Sequence, residues 1–137
     1  MKEKNGSLEM YILDTTTIIE LFRGNEKLRE ILKEKECSVS SISYFEIFSK
    51  LYAKRREKEK RYFLRFFSSV PVYIFDLKSA EESSKIMASL YKIGKPVNIA
   101  DVMIAGIALA NGASGVITRD RDFKEIGKVT DLEIVLF

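Results

Sequence analysis

The chain has 137 residues, 46% of them hydrophobic and 31% charged, with a formal net charge of +3. That balance predicts one globular domain with its own core and excludes disordered and collagen-like classes. There is no His, no Trp and one Cys, which removes imidazole bases, Ser-His and Cys-His nucleophile pairs, internal disulfides and thiolate or imidazole zinc sites. Any chemistry must use carboxylates, hydroxyls, Lys, Arg, Tyr or a hard cation held by oxygen.

Residues 1–9 are polar and patternless and read as an N-terminal extension or tag, with the domain over 10–137 and Met10 an alternative start. They lack the apolar core of a signal peptide, and the apolar run Val102 to Ala110 is far short of the ~20 residues of a membrane helix. The expectation is a cytoplasmic protein with no membrane association, in keeping with its free Cys.

The first strand is predicted over Met10–Leu13, a short apolar run, followed by a helix around Ile18, Ile19, Leu21 and Phe22. Leu28, Ile31 and Leu32 form an i, i+3, i+4 stripe on a second helix. A second strand over Cys37–Ser41 leads into a helix carrying Tyr44, Phe45, Ile47, Phe48, Leu51 and Tyr52, with Ser43 and Glu46 spaced as a capping box. A charged stretch precedes another helix at Phe63, Leu64, Phe66 and Phe67, and a third strand is expected over Val72–Phe75. Ser79 and Glu82 mark the entry to a helix through Ile86 and Leu90, closed by Gly94 and Pro96. The most apolar helix runs from Asn98 to Ala110, stopped by Asn111 and Gly112; strands over Gly115–Thr118 and Glu133–Phe137 complete the chain. Strand and helix alternate throughout, which predicts an α/β fold, a parallel sheet covered on both faces by helices. In such sheets the ligand crevice lies beyond the carboxyl ends of the strands, where strand order reverses.

Four acids fall at such positions. Asp14 ends the first strand; it serves equally well as an N-cap. Glu46 lies just after the second strand, and Asp101 opens the apolar helix, where a carboxylate is costly to bury unless paired or metal-bound. Asp120 follows the fourth strand, with Asp122 beside it as a competitor read as a cap for the turn that packs Phe123. Asp76, at the end of the third strand, is read as a loop or cap residue. Clustered carboxylates raise one another's pKa, and Mg²⁺ or Mn²⁺ relieves that repulsion with oxygen ligands.

The pattern Tyr11-Ile-Leu-Asp14-Thr-Thr, Ser43-Tyr-Phe-Glu46-Ile, Ile99-Ala-Asp101-Val-Met-Ile-Ala-Gly106 and Val116-Ile-Thr-Arg-Asp120-Arg-Asp-Phe123 resembles the PIN-domain ribonucleases. Within them it is similar to the VapC-like toxins of type II toxin–antitoxin pairs. The resemblance runs from Met10 to the C-terminus. It implies a three-layer α/β/α fold with a five-stranded parallel sheet in order 3-2-1-4-5, which sets Asp14 and Asp120 on either side of the switch point. It implies further that Asp14, Glu46, Asp101 and Asp120 form an Mg²⁺ or Mn²⁺ site that is also the catalytic centre, with Thr15, Thr16 and Thr118 orienting the ligands. The implied activity is an endoribonuclease leaving 5′-phosphate and 3′-hydroxyl ends. Its partners would be RNA, a cognate antitoxin protein and further copies of the chain, as a homodimer or dimer of dimers. Thr16 stands where many relatives have Asn or Ser, and relatives vary between Asp and Asn at the position of Asp120.

The charge is uneven. Residues 50–65 hold eight basic and two acidic residues, +6, leaving fifteen basic against eighteen acidic, −3, elsewhere. This segment, with Lys54, Arg55 and Arg56, is either a solvated helix face, a phosphate-contacting rim or a seat for an acidic antitoxin segment. Arg119 and Arg121 are candidates for contact with the scissile phosphate. Alternatives are a PIN-domain nuclease of RNA processing or quality control and a receiver-like phospho-acceptor domain. The latter lacks the early acidic pair it needs, and a dehalogenase-like phosphatase lacks its second Asp, Thr16 holding that place.

Overall fold

In the computed structural model, residues 8–137 are described. Five strands alternate with seven helices among them: β1 (Met10–Leu13), α1 (Thr15–Phe22), α2 (Glu26–Leu32), β2 (Glu36–Ser40), α3 (Ser41–Lys54), α4 (Glu57–Ser69), β3 (Val72–Tyr73), α5 (Leu77–Lys92), α6 (Ile99–Ala110), β4 (Gly115–Thr118), α7 (Phe123–Lys128) and β5 (Glu133–Leu136). The sheet is parallel throughout, in order β3-β2-β1-β4-β5, as the family resemblance implies. No helix among the described residues is long and apolar enough to cross a membrane.

The central strand β1 pairs on one side with β2 (Tyr11 with Cys37) and on the other with β4 (Tyr11 with Gly115, Leu13 with Ile117). Successive side chains of a strand point to opposite faces, and the two cores divide accordingly. Ile12 and Val116 pack with Ile86 and Leu90 of α5, Ile104 and Ile107 of α6, and Phe123 and Ile126 of α7. Tyr11, Leu13 and Ile117 pack on the other face with Ile18, Leu28, Phe48, Phe63 and Phe67 from α1 to α4. Both faces are thus covered, which is why β1 and β4 read as continuous apolar runs.

The boundaries depart from the sequence expectation in places. The second strand starts at Glu36 and ends at Ser40, and Ser41 already belongs to α3. Ser40 is the N-cap, its hydroxyl accepting from the Ser43 amide at 3.2 Å, so Ser43 and Glu46 form no capping box and Glu46 is left free to face the cleft. The third strand pairs only over Val72 and Tyr73; it lies at the sheet edge behind Pro71, and Ile74 is already exposed. The helix after it enters at Asp76, whose carboxylate accepts from the Ser79 amide at 2.9 Å, so Asp76 has the capping role and Ser79 is inside the first turn. The fifth strand stops at Leu136, and the short α7 was not anticipated. Of the expected extension over 1–9, residues 1–7 lie outside the described residues; Glu9 prolongs the β1–β2 pairing, its carbonyl accepting from the Glu36 amide at 2.9 Å.

Helices α5 and α6 approach closely at Gly106. A Cβ there would stand 1.9 Å from Ser83 Oγ and 2.6 Å from the Ser79 carbonyl oxygen. Ser83 donates to the Val102 carbonyl at 3.1 Å, so a small residue and a buried hydroxyl fix the helix that carries Asp101.

Candidate active site

Asp14 leaves β1 in an extended conformation and caps α1, accepting from the Thr17 amide at 3.1 Å. It is 3% exposed. Thr118, at the end of the neighbouring strand β4, donates to Asp14 Oδ2 at 2.6 Å, and Thr16 reaches both carboxylate oxygens at 3.4 Å. Burial pushes the Asp14 carboxyl above the usual range, and the hydrogen bonds from Thr118, Thr17 and Thr16 oppose that rise. Thr118 Oγ1 also accepts from the Asp120 amide at 2.9 Å, so one hydroxyl ties both strand ends together. Thr17, which sequence reasoning passed over, donates to the Ile117 carbonyl at 2.8 Å and clamps the first turn of α1 against β4. A β-branched hydroxyl residue at the start of an apolar helix was its only sequence signal.

Asp101 is the third residue of α6, behind the N-cap Asn98, which accepts from the Ala100 amide at 2.8 Å. Its Oδ2 is buried without a hydrogen-bond partner. Burial first, then the neighbouring carboxylates of Asp120, Asp14 and Glu46, push its carboxyl up to about 8. Asp120 faces it as a second acceptor, so the two are joined only when they share a proton. Asp120 Oδ1 accepts from the Asp122 amide at 2.9 Å. Asp122 itself makes no side-chain cap bond to α7, contrary to its expected capping role; Asp120 makes the turn contact instead. Glu46, on the second turn of α3, accepts from Thr15 Oγ1 at 2.5 Å, and Thr15 Oγ1 also meets Ser43 Oγ at 2.9 Å.

Asp14, Glu46, Asp101 and Asp120 line one cleft of about 450 Å³ together with Thr15 and Thr16. Thr118 lies behind it. None of these four carboxylates stands in a salt bridge among the described residues. As the side chains stand, no three acids among the described residues converge on a common point at metal-ligating distance. The oxygen donors are present, but Glu46 is turned toward Thr15.

The basic candidates lie apart from the acids. Arg119 pairs with Glu20 at 3.0 Å and stacks over the Phe137 ring, 5.3 Å from its centroid, so it supports the β4–α1 junction. Arg121 is exposed, without a salt bridge. Lys54 and Arg56 line a second groove of about 270 Å³ between α1, α3 and α4, floored by Phe22, Leu51 and Phe63; it adjoins the acidic cleft through Thr15, Glu46 and Lys50. Arg55 takes the left-handed conformation that ends α3 (φ 52°) and does not line the groove. Lys50, the first of the basic segment over 50–65, and Phe45, Ser49 and Asn98, which the sequence did not single out for the site, complete the lining of the acidic cleft.

A sequence profile of the PIN domain matches residues 11–129, nearly the whole described chain and all four acids. The chain belongs to the PIN domain family. Its relatives within that family include Ribonuclease VapC3 of Methanocaldococcus jannaschii, 32% identical over 96 residues, 70% of this chain and 95% of the relative. The tRNA(fMet)-specific endonuclease VapC of Shigella flexneri is 27% identical, covering 85% of this chain and 92% of its own. Among solved structures, VapBC-1 from nontypeable Haemophilus influenzae superposes with a TM-score of 0.75 at 26% identity, over 93% of this chain and 97% of that one. This PIN domain, with its sheet in order β3-β2-β1-β4-β5, therefore shares its fold with a chain of the VapBC-1 structure.

Proposed function

We propose that the chain is an Mg²⁺- or Mn²⁺-dependent endoribonuclease, the toxin of a toxin–antitoxin pair, acting in the cytoplasm on RNA. The observation that carries this reading is the four-carboxylate cleft with the buried, partnerless Oδ2 of Asp101 and, among the described residues, no salt bridge to any of the four acids. A cluster of hard oxygen donors of this kind suits a hard divalent cation such as Mg²⁺ or Mn²⁺, since the chain has no His and its one Cys lies elsewhere, on β2. Asp14, Asp101, Glu46 and Asp120 would hold the ion. When bound, the ion supplies a water of lowered pKa and offsets charge on the phosphate.

The chain's own residues supply the rest. Thr118 and Thr17 fix the rotamer of Asp14. Thr15 holds Glu46 by a single hydroxyl, a contact a side-chain rotation can exchange for a cation. Phosphodiester hydrolysis in this site needs no imidazole and leaves 5′-phosphate and 3′-hydroxyl ends. The two named ribonuclease relatives support a ribonuclease, and the likeness to a VapBC structure supports a cognate antitoxin as partner. Self-association as a homodimer or dimer of dimers belongs to the same proposal.

The test is RNA cleavage with and without Mg²⁺ or Mn²⁺, with product ends mapped, beside the Asp14→Asn variant. Cleavage is expected only with metal and only in the unaltered chain. Undiminished metal-dependent cleavage by a folded Asp14→Asn variant overturns the assignment.

A further inference from the structure

The acidic cleft has an aromatic residue on its rim that the fold does not use. Phe45, on the first turns of α3, is 70% exposed and lines the cleft next to Glu46. The other aromatic residues of α3 are engaged: Tyr44 stacks on Phe48 and meets Phe67, and Tyr52 packs near Phe48 and under the Lys60 ammonium. Phe45 has no such partner among the aromatic and cation–π pairs of the described residues.

A helix repeats its face every three to four residues, so Phe45 and Ser49 form one strip and Glu46 and Lys50 the next, and all four line the cleft. Ser49 Oγ donates to the Phe45 carbonyl at 2.6 Å, which keeps its hydroxyl turned to its own helix. The rim thus offers an aromatic face and an ammonium side by side, against the carboxylates where a phosphodiester would be cut. A nucleotide has the matching pair of features, a π-face and a phosphate. Leu or Ile would serve a protein contact at this position equally well; the flanking Lys50, together with the cation proposed for the acidic floor, favours a nucleic-acid strand.

We propose that Phe45 is a stacking platform for one unpaired nucleobase of the RNA, adjacent to the scissile phosphate, with Lys50 contacting the backbone beside it. This rests on the ribonuclease reading above and adds to it a reason for single-stranded over duplex substrate, since a paired base hides its face. Phe45 is a positioning residue: it fixes where the strand lies and takes no part in proton or phosphoryl transfer.

The chain lacks Trp, so Phe45→Trp introduces a unique fluorophore at the site. Single-stranded RNA dodecamers, intact and with one abasic nucleotide scanned along the strand, are titrated against the unaltered chain, Phe45→Trp, Phe45→Leu and Phe45→Ala. Quenching of the indole on RNA binding is expected. Phe45→Ala and Phe45→Leu should each weaken binding about 5- to 100-fold, with thermal unfolding and self-association unchanged. One abasic position should weaken the unaltered chain to the same level and leave Phe45→Ala unaffected. Binding without quenching, or Phe45→Ala binding as tightly as the unaltered chain, overturns the proposal; so does a loss of self-association with RNA binding intact, which makes Phe45 a protein contact. No RNA binding by any variant overturns it as well. Cleavage is scored separately on the same samples: stacking without cleavage sinks the nuclease reading alone, and cleavage indifferent to Phe45 sinks this inference alone.

Discussion

Replacing Asp101 by Asn should stabilise the metal-free protein while removing its activity. The carboxyl of Asp101 is pushed from 3.8 to about 8 by burial and by Asp120, Asp14 and Glu46. A folded-state pKa above the unfolded value means the folded chain binds the proton more tightly. Stability from this group is therefore full below about pH 4 and is lost as pH rises through about 8. At ~1.4 kcal/mol per unit the whole span would be roughly 5–6 kcal/mol. The carboxylate keeps access to the solvent of the cleft, and screening cuts this to about 2–3 kcal/mol. Asp101→Asn removes the charge and keeps the shape, and its amide has the carboxylate of Asp120 as an acceptor. The assay is thermal unfolding in chelator. Above about pH 8.5 the variant should melt roughly 6–12 °C higher than the unaltered chain, and near pH 4 the two should coincide. Millimolar Mg²⁺ should close the gap at high pH by raising the unaltered chain alone. RNA cleavage by the variant should fall beyond the roughly 10–100-fold typical of residues that only orient a metal ligand. A variant less stable than the unaltered chain at every pH, or an equal offset at pH 4 and 8.5, refutes the reasoning.

Three further outcomes follow from the geometry. Thr118→Val removes the donor to Asp14 Oδ2 and the acceptor for the Asp120 amide; it should cost about 1–3 kcal/mol in urea unfolding and move the acidic limb of the pH–rate profile upward, because Asp14 loses the first of the bonds that hold its carboxyl down. Gly106→Ala drives a methyl into Ser83 and the Ser79 carbonyl and should destabilise by about 1–3 kcal/mol in thermal melts; Gly106→Ala combined with Ser83→Gly should recover part of that loss. Lys54 and Arg56 line the groove beside the acids and Arg55 does not, so Lys54→Ala with Arg56→Ala should flatten the salt dependence of RNA binding by about 1.4 in slope, ~0.7 per lost phosphate contact. Arg55→Ala should leave it unchanged, and equal effects of all three would refute the groove as the path of the strand.

The sequence made the strand-end acids legible because strand ends in a parallel sheet are where apolar runs stop. Met10–Leu13 and Gly115–Thr118 are four-residue runs with both faces buried, and the acids that follow, Asp14 directly and Asp120 two residues on, mark the strand ends. Asp101 stood out through burial cost, and its partnerless oxygen and raised pKa have the same origin. What local pattern could not give was side-chain destination. Ser43 and Glu46 have capping-box spacing, yet Ser40 takes the cap because Ser41 already has helical partners, which frees Glu46 for Thr15. Arg119 lies next to Asp120 in sequence, but strand geometry turns it to Glu20 on the adjoining α1. Thr17 offered only a β-branched hydroxyl at a helix start and Phe45 only a place in an aromatic helix: the one is clamped to a carbonyl 100 residues on, the other is a ring exposed where its neighbours Tyr44 and Phe48 are paired.

The place of β1 at the centre of the sheet has a consequence for the protein's birth. β1 needs β4 as its neighbour, and Thr118 meets Asp14 across 104 positions of chain. A ribosome adding ~5–20 residues per second takes roughly 5–20 s to cover that distance. Until then the nascent polypeptide holds Asp14 without Thr118 or Asp120, and the strand β4 that sets the far side of the carboxylate pocket is missing. The carboxylate pocket is therefore assembled only after β4 has been synthesised, a consequence of strand order alone.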